Sequence, residues 1–387
     1  MPTPQPPAPS PPVLGILGGG QLGRMSALAA IRMGVGVRVL TPEASGGGPP
    51  GPVAPFAGVT VGDWEDPEVL RRWGRGLTAI TVESEWAPAG LARDACAGVP
   101  IRPGPEALHA IRHKGRQKEV LADAGAPLPP YRLCPTREAA REAAEALGWP
   151  VVAKKYEGSY DGYGNATCRT PEALDRAWEE LATHDGLLVE GFVPFVGELS
   201  ALVARRLGGE TATYPIIASE HREHQLWASH VPAGLAPEAE ARAREVATQA
   251  IEAVGGVGLL AVELFLLEGG GVLVNEIAPR PHNTGHLTIE ACHGSQFENH
   301  VRAVLDLPLA DPGLRVPAAC MVNVAGTREG PLAPDLGAAL AVRGADVHLY
   351  GKRDSRPRRK LGHVTATAAT PEAAREAAER AARALGL

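Results

Sequence analysis

Apolar and polar positions alternate along the chain in patterns that change twice, and each change marks a new stretch. The first stretch opens with VLGIL (13–17), an apolar run with the length of a buried strand. QLGRMSALAAIRMG follows with its apolar residues on one helical face, and VGVRVL then reads as a second strand. This is a β-α-β opening. Asp66-Pro67-Glu68 announces another helix, because the Asp side chain can accept a backbone N–H and proline needs none at the first helical position. Thr170-Pro171-Glu172 and Thr370-Pro371-Glu372 carry the same signature, and LTAITVESE (77–85) reads as a strand. From residue 105 the pattern predicts one helix through PEALHAIRHKGRQKEVLADAG, stopping at Gly125. Strands and helices then alternate, many of the strands hairpin-like, as far as DLPLADPG (306–313). The remainder forms a smaller α+β unit that ends in an alanine-rich helix. The expected divisions are a tail at 1–12, a first domain at 13–110, a central domain at 111–312 and a C-terminal domain at 313–387.

Composition alters this picture in a few places. A chain of 387 residues with 44% hydrophobic content suits a soluble protein of two or three domains. No apolar run approaches the roughly 18 residues of a membrane span. MPTPQPPAPSPP lacks the basic and apolar regions of a signal peptide and reads as a disordered, proline-rich tail, which places the protein in the cytoplasm. The net charge of −6 argues against a protein devoted to nucleic acid. Five widely spaced cysteines with no C-x-x-C pair read as buried thiols. Lysine occurs only six times on an arginine-rich background, in three short places: Lys114 with Lys118, Lys154 with Lys155, and Lys352 with Lys360.

Candidate chemistry falls in five segments. GILGGGQLGRM (15–25) matches G-x-G-x-x-G at Gly18, Gly20 and Gly23, and would suit a nicotinamide cofactor with Glu43 on the ribose; the stretch alone does not decide. VVAKKYEGSYDGYGNATCR (151–169) sets Lys154 beside a glycine loop whose backbone N–H groups can approach phosphate oxygens, a flexible hairpin being the plain alternative. In LLAVELFLLEGGGVLVNEIAPR (259–280), a two-residue turn at Gly269-Gly270 sets Glu263 directly opposite Glu276. Cross-strand like charges at about 5 Å destabilise a sheet, and a shared cation removes the conflict. Oxygen donors suit Mg²⁺, whereas a slip of one residue would part the pair. Lys114 and Lys118 share a helix face, either around an anion or as solvated lysines, and Glu190 and Glu198 taken alone read as surface carboxylates. PRPHNTGHLTIEAC (279–292) crowds Arg280, His282, Asn283 and His286 next to the Glu276 strand. Finally, YGKRDSRPRRKLGHV (350–364) is basic enough for a phosphate monoester and lacks the aromatic interleaving of a nucleic-acid surface.

Together GILGGGQLGRM, SYDGYGN (159–165), VNEIAPRPHNTGH (274–286) with TIEACHGSQFENHVRAVLDLPL (288–309), and YGKRDSRPRRKLGHV resemble the ATP-grasp superfamily. Within it they are most similar to the 5-(carboxyamino)imidazole ribonucleotide synthases, ATP-dependent carboxylases of bacterial purine synthesis. The resemblance implies an α/β and α+β ATP-grasp fold with an N-terminal Rossmann-like pre-grasp domain and a small C-terminal domain. It assigns the first glycine turn to the pre-grasp domain, so that no dinucleotide is expected. It also implies the substrates ATP, bicarbonate and aminoimidazole ribonucleotide, with Mg²⁺, and a cytoplasmic homodimer without nucleic-acid or membrane partners.

Residue by residue, the resemblance puts nucleotide contacts on Lys114, Lys154, Ser159, Tyr160, Asp161, Gly162, Tyr163, Gly164, Asn165, Glu190, Gly191, Phe192, Val193, Glu198, His221, Asn275 and Glu276. Magnesium falls to Glu263 and Glu276. Aminoimidazole ribonucleotide falls to Gln21, Glu83 or Glu85, Tyr160, Asp161, His282, Asn283, Lys352 and Arg359. Arg280 and Lys154 would stand near the transferred phosphoryl group, with His282 beside them and Asp161 as proton acceptor. Lys114 stands where the family has arginine, Ser159 where it has glycine, and Asn165 where it has glutamine; Ala278 stands where distant relatives place a metal-binding asparagine. A formate-using relative would lack the tyrosine-aspartate-glycine loop.

Overall fold

The structure, a computed structural model, describes residues 11–42, 51–158 and 164–387. Glu43, Ser159, Tyr160, Asp161, Gly162, Tyr163 and the tail before Pro11 lie outside the described residues.

The β-α-β opening forms as the pattern requires. Val13–Leu17 pairs in parallel with Gly36–Thr41 and with Ala79–Val82, and Gly58–Val61 completes a four-stranded parallel sheet. The Gln21–Arg32 helix joins the first two strands. Asp66, Thr170 and Thr370 each cap the helix they announce, Asp66 accepting from the Glu68 N–H at 2.8 Å.

The single helix expected from residue 105 is two helices, Pro105–Arg112 and Lys114–Asp123. His113 breaks it by taking an extended conformation and accepting the Arg116 N–H on its ring at 3.2 Å. The ring stacks on Tyr156 at 4.6 Å, and the Lys114 N–H donates to the Tyr156 carbonyl at 2.9 Å. The break turns the start of the second helix toward the strand carrying Lys154.

Two antiparallel sheets follow. The smaller has the order Tyr131–Cys134, Leu187–Gly191, Val151–Lys155, Asn165–Cys168. The larger has nine strands and begins at an edge with Val272–Ala278, then Gly258–Leu266, Gly197–Arg205, Ile217–Arg222 and Gln225–Val231. It does not stop there. Gln225–Val231 pairs with Ala318–Ala325, which pairs with Lys360–Ala368 and so with Ala345–Leu349, so the C-terminal strands extend the central sheet without a break. The Pro237–Val254 helix covers one face of the central strands through Val246, Ala250 and Ile251 against Val262, Leu264 and Val274. The Pro371–Ala384 helix packs its alanines on the C-terminal strands. All five cysteines are buried and free, and no described helix is long and apolar enough to cross a membrane.

Candidate active site

Both antiparallel sheets, the first glycine turn and the C-terminal basic run line one cleft of about 1660 Å³. Single small-molecule sites occupy roughly 300–1,000 Å³, so this one has room for two substrates.

The Glu263–Glu276 pairing forms, though by a different route from a two-residue turn. Leu267–Gly271 makes a wider turn, with Gly270 N–H donating to Leu267 at 3.1 Å. Near the turn Leu264 faces Val274; beyond a β-bulge at Asn275, Glu263 faces Glu276 and Val262 faces Ile277. The wider turn and the extra residue offset each other, and the two carboxylates end up opposite. Each has a protein partner. Lys114 pairs with Glu276, and His282 Nε2 lies 3.1 Å from Glu263. Burial alone would raise the Glu263 carboxyl, but His282, His221 and Lys114 hold it down to about 2.

Beneath this pair lies a buried charge triad. Glu190 is 2% exposed and sits between Lys118 at 2.7 Å and Lys154 at 2.5 Å. Burial opposes its charge, yet the two ammonium groups hold it at about 2. Burial pushes Lys118 down to about 8, with Glu190 opposing and Lys154 adding to the fall. The single anion has two cations beside it, while Lys118 has one anion and two repelling ammonium neighbours, Lys154 and Lys114. Neither residue is at the surface, which corrects the readings of Lys118 as solvated and Glu190 as a surface carboxylate. Lys154 also donates to Asn275 Oδ1 at 3.0 Å, and His221 Nδ1 pairs with Glu198 at 2.7 Å. Gly191, Phe192, Val193 and Asn165 line the same end of the cleft, and Gly164 lies at the base of the glycine loop, its carbonyl accepting the Lys155 N–H at 2.8 Å.

Between this end and the basic run, Arg280 Nε donates to Glu85 at 2.9 Å. Burial opposes the Glu85 charge, and Arg280 overcomes it. Asn283 and Asn323 exchange hydrogen bonds at 3.0 and 2.8 Å, and His282 Nδ1 meets Thr284 at 2.8 Å. Lys352 reaches Gln21 at 3.5 Å and the Lys360 carbonyl at 2.6 Å, and Arg356, Arg358 and Arg359 line the cleft beside it. His286 does not join them: it is fully buried against Phe297, Tyr350 and His363.

The glycine turn holds an anion of its own. Glu83 accepts from the Gly20 N–H at 2.5 Å and the Leu22 N–H at 3.0 Å, at the start of the Gln21–Arg32 helix. An added Cβ at Gly18 or Gly20 would run into the Glu83 side chain, and one at Gly23 into the Gly18 carbonyl. The N–H groups that a pyrophosphate would use on such a turn are engaged by a carboxylate sixty residues on. Gln117, which lines the cleft, was not singled out in the sequence; the scarcity of lysine marked Lys360, which also lines it, and Lys118, which lies beneath it.

Two antiparallel sheets closing on a cleft, one with a lysine-flanked glycine hairpin and the other with opposed acidic residues, define an ATP-grasp enzyme, a ligase class. Residues 119–297 match the ATP-grasp domain, residues 12–112 the ribonucleotide synthetase preATP-grasp domain, and residues 319–377 the phosphoribosylaminoimidazole carboxylase C-terminal domain. The N5-carboxyaminoimidazole ribonucleotide synthase of Mycobacterium tuberculosis is 39% identical over 361 residues, 91% of this chain and 83% of its own length. The phosphoribosylaminoimidazole carboxylase of Schizosaccharomyces pombe is 35% identical over 93% of this chain, which spans only 66% of that longer protein. Among solved structures, the Aspergillus clavatus N5-carboxyaminoimidazole synthase in complex with ADP and 5-aminoimidazole ribonucleotide superimposes with a TM-score of 0.86, at 30% identity, over 97% of this chain and 99% of that one. The chain belongs to the N5-carboxyaminoimidazole ribonucleotide synthase family.

Proposed function

We propose that this protein carboxylates the 5-amino nitrogen of 5-aminoimidazole ribonucleotide, consuming ATP and bicarbonate and releasing ADP and phosphate, in de novo purine biosynthesis. The observation that carries the reading is a single cleft that joins two chemically distinct ends. One end holds Lys114, Lys154, Glu190, Asn275 and Glu276, the other Lys352, Arg359 and Gln21, with Arg280, His282 and Asn283 between them. The first suits a nucleotide triphosphate and the second a ribonucleotide phosphate.

Glu263 and Glu276 fit Mg²⁺ by donor chemistry: two carboxylates opposed on one ladder, in a cleft with room for phosphates. Among the described residues no group of three or more His, Cys, Asp or Glu side chains is arranged for a metal. The ion would therefore take its remaining ligands from phosphate oxygens and water, as Mg²⁺ commonly does. Bound there, it would supply neutralisation of phosphate charge.

The chain's own groups do the rest. Lys154, anchored by Glu190 and Asn275, and Arg280, anchored by Glu85, are fixed cations for the charge that spreads over the transferring phosphoryl group. A bicarbonate oxygen attacks the γ-phosphorus, the bond to the β-phosphate oxygen breaks, and ADP leaves with carboxyphosphate formed. The amino nitrogen then takes the carboxyl carbon, phosphate departs, and Asp161, by resemblance, accepts the nitrogen's proton. His282 and Asn283 face the space between the two ends, and Tyr160 and the glycine loop would exclude water from the labile intermediate. On the same resemblance the protein is a cytoplasmic homodimer.

ADP release in bicarbonate buffer, with 5-aminoimidazole ribonucleotide added or withheld, tests the reading. Turnover that rises with the ribonucleotide and fails when formate replaces bicarbonate is the expected result. Indifference to both, or tight NADH binding, would remove it.

A further inference from the structure

The strand that carries Asn275 and Glu276 is the open edge of the large sheet, and its backbone breaks the two-residue alternation. Val272, Val274 and Ile277 all enter one core cluster, with a spacing of two and then three. A regular strand would send Val274 and Ile277 to opposite faces. The extra residue lets two neighbours face the cleft together, Asn275 on Lys154 and Glu276 on Lys114. Removing the bulge would turn one of them away and part Glu276 from Glu263.

An edge-strand bulge leaves backbone groups that the ladder does not satisfy, and buried groups of this kind need partners. Two consecutive residues of the Lys114–Asp123 helix supply them. Gln117, 3% exposed, accepts the Ile277 N–H on Oε1 at 3.0 Å and donates from Nε2 to the Ile277 carbonyl at 3.2 Å and the Ile111 carbonyl at 3.0 Å. Lys118 Nζ donates to the Asn275 carbonyl at 3.1 Å and pairs with Glu190. One residue grips the backbone after the bulge, the other the bulge itself. The Val274 N–H is held separately by the Pro127 carbonyl at 2.8 Å.

We propose that Gln117 and Lys118 are positioning residues that clamp the Asn275 bulge, and so fix the distance and direction of the Glu263–Glu276 pair and the Asn275–Lys154 contact. The proposal rests on the nucleotide reading of the cleft. In the full-length protein, Gln117→Ala should leave the far-ultraviolet spectrum unchanged and raise hydrogen exchange at the Ile277 amide at least tenfold. Binding of Mn²⁺ in the presence of ADP, followed by electron paramagnetic resonance, should weaken at least tenfold, while the KM for the ribonucleotide stays within threefold. Lys118→Met should act in the same direction. If that variant fails to fold, Gln117→Ala, which removes no charge, decides alone. Mn²⁺ affinity within twofold of the parent despite faster exchange at Ile277 would overturn the proposal, and so would unchanged exchange. Should the unsubstituted protein bind no Mn²⁺ with ADP, the nucleotide reading fails instead, and the exchange at Ile277 still decides whether the clamp exists.

Discussion

Replacing Glu190 with glutamine removes the one anion between two buried ammonium groups. The carboxyl is held at about 2 against an ordinary 4.5. At about 1.4 kcal/mol per tenfold change in proton affinity, that difference is worth roughly 3 kcal/mol. Its sign is fixed: a depressed carboxylate contributes fully above pH 4.5 and loses its contribution as pH falls toward 2. The variant loses this and also leaves Lys118 and Lys154 facing each other without compensation, so a loss of about 3–5 kcal/mol at pH 7 is expected. Lys118 stands at about 8 even with its partner present, and without it must shed its proton at still lower pH. A lysine whose proton affinity is lower in the fold than in the open chain stabilises the fold as pH rises. The deficit of Glu190→Gln should therefore shrink between pH 7 and 9. Urea unfolding of both proteins across that range is the assay. A loss under about 1 kcal/mol at pH 7, or a deficit that does not change with pH, would refute the reasoning.

Three further outcomes follow from the same structure. Glu276→Gln should lower ATP turnover more than a hundredfold, measured as ADP release, because it removes one of the two opposed carboxylates. Lys352→Ala should raise the KM for the ribonucleotide about 10- to 100-fold, the worth of a charge-assisted hydrogen bond of about 1.5–3 kcal/mol, with the KM for ATP changed less than threefold. His300, wholly buried and held neutral at about 4, accepts the Leu259 N–H at 3.0 Å and meets Thr81 at 2.9 Å. The open chain takes up its proton near pH 6.5 and the fold does not, so stability should fall as pH drops from 6.5 toward 4, by up to roughly 3 kcal/mol from this residue; His300→Gln should flatten the slope in unfolding midpoints measured at pH 7, 6 and 5.

Much of the site was legible because its parts are local. The three Thr- or Asp-Pro-Glu caps, the opening β-α-β unit and the two strands that flank the glycine loop each lie within one short segment, and each forms as read. The Glu263–Glu276 pair was legible by a narrower margin, since the wider turn and the bulge shift the register in opposite senses. What escaped depends on partners far along the chain. The helix break at His113 needs Tyr156, the burial of Lys118 needs Glu190 and the Asn275 carbonyl, and the first glycine turn is shaped by Glu83. No periodicity carries such information, because it arises only when separate segments meet.

The unbroken nine-stranded sheet has a practical side. Truncation after residue 312 would not release a self-sufficient catalytic unit. It would strip Gln225–Val231 of its neighbour on one side and bare a row of backbone groups along Ala228–Val231 to whatever strand arrives next. Such a shortened chain should stick to itself rather than merely lose its substrate, which makes the last fifth of the protein as much a seal for the sheet as a source of basic side chains.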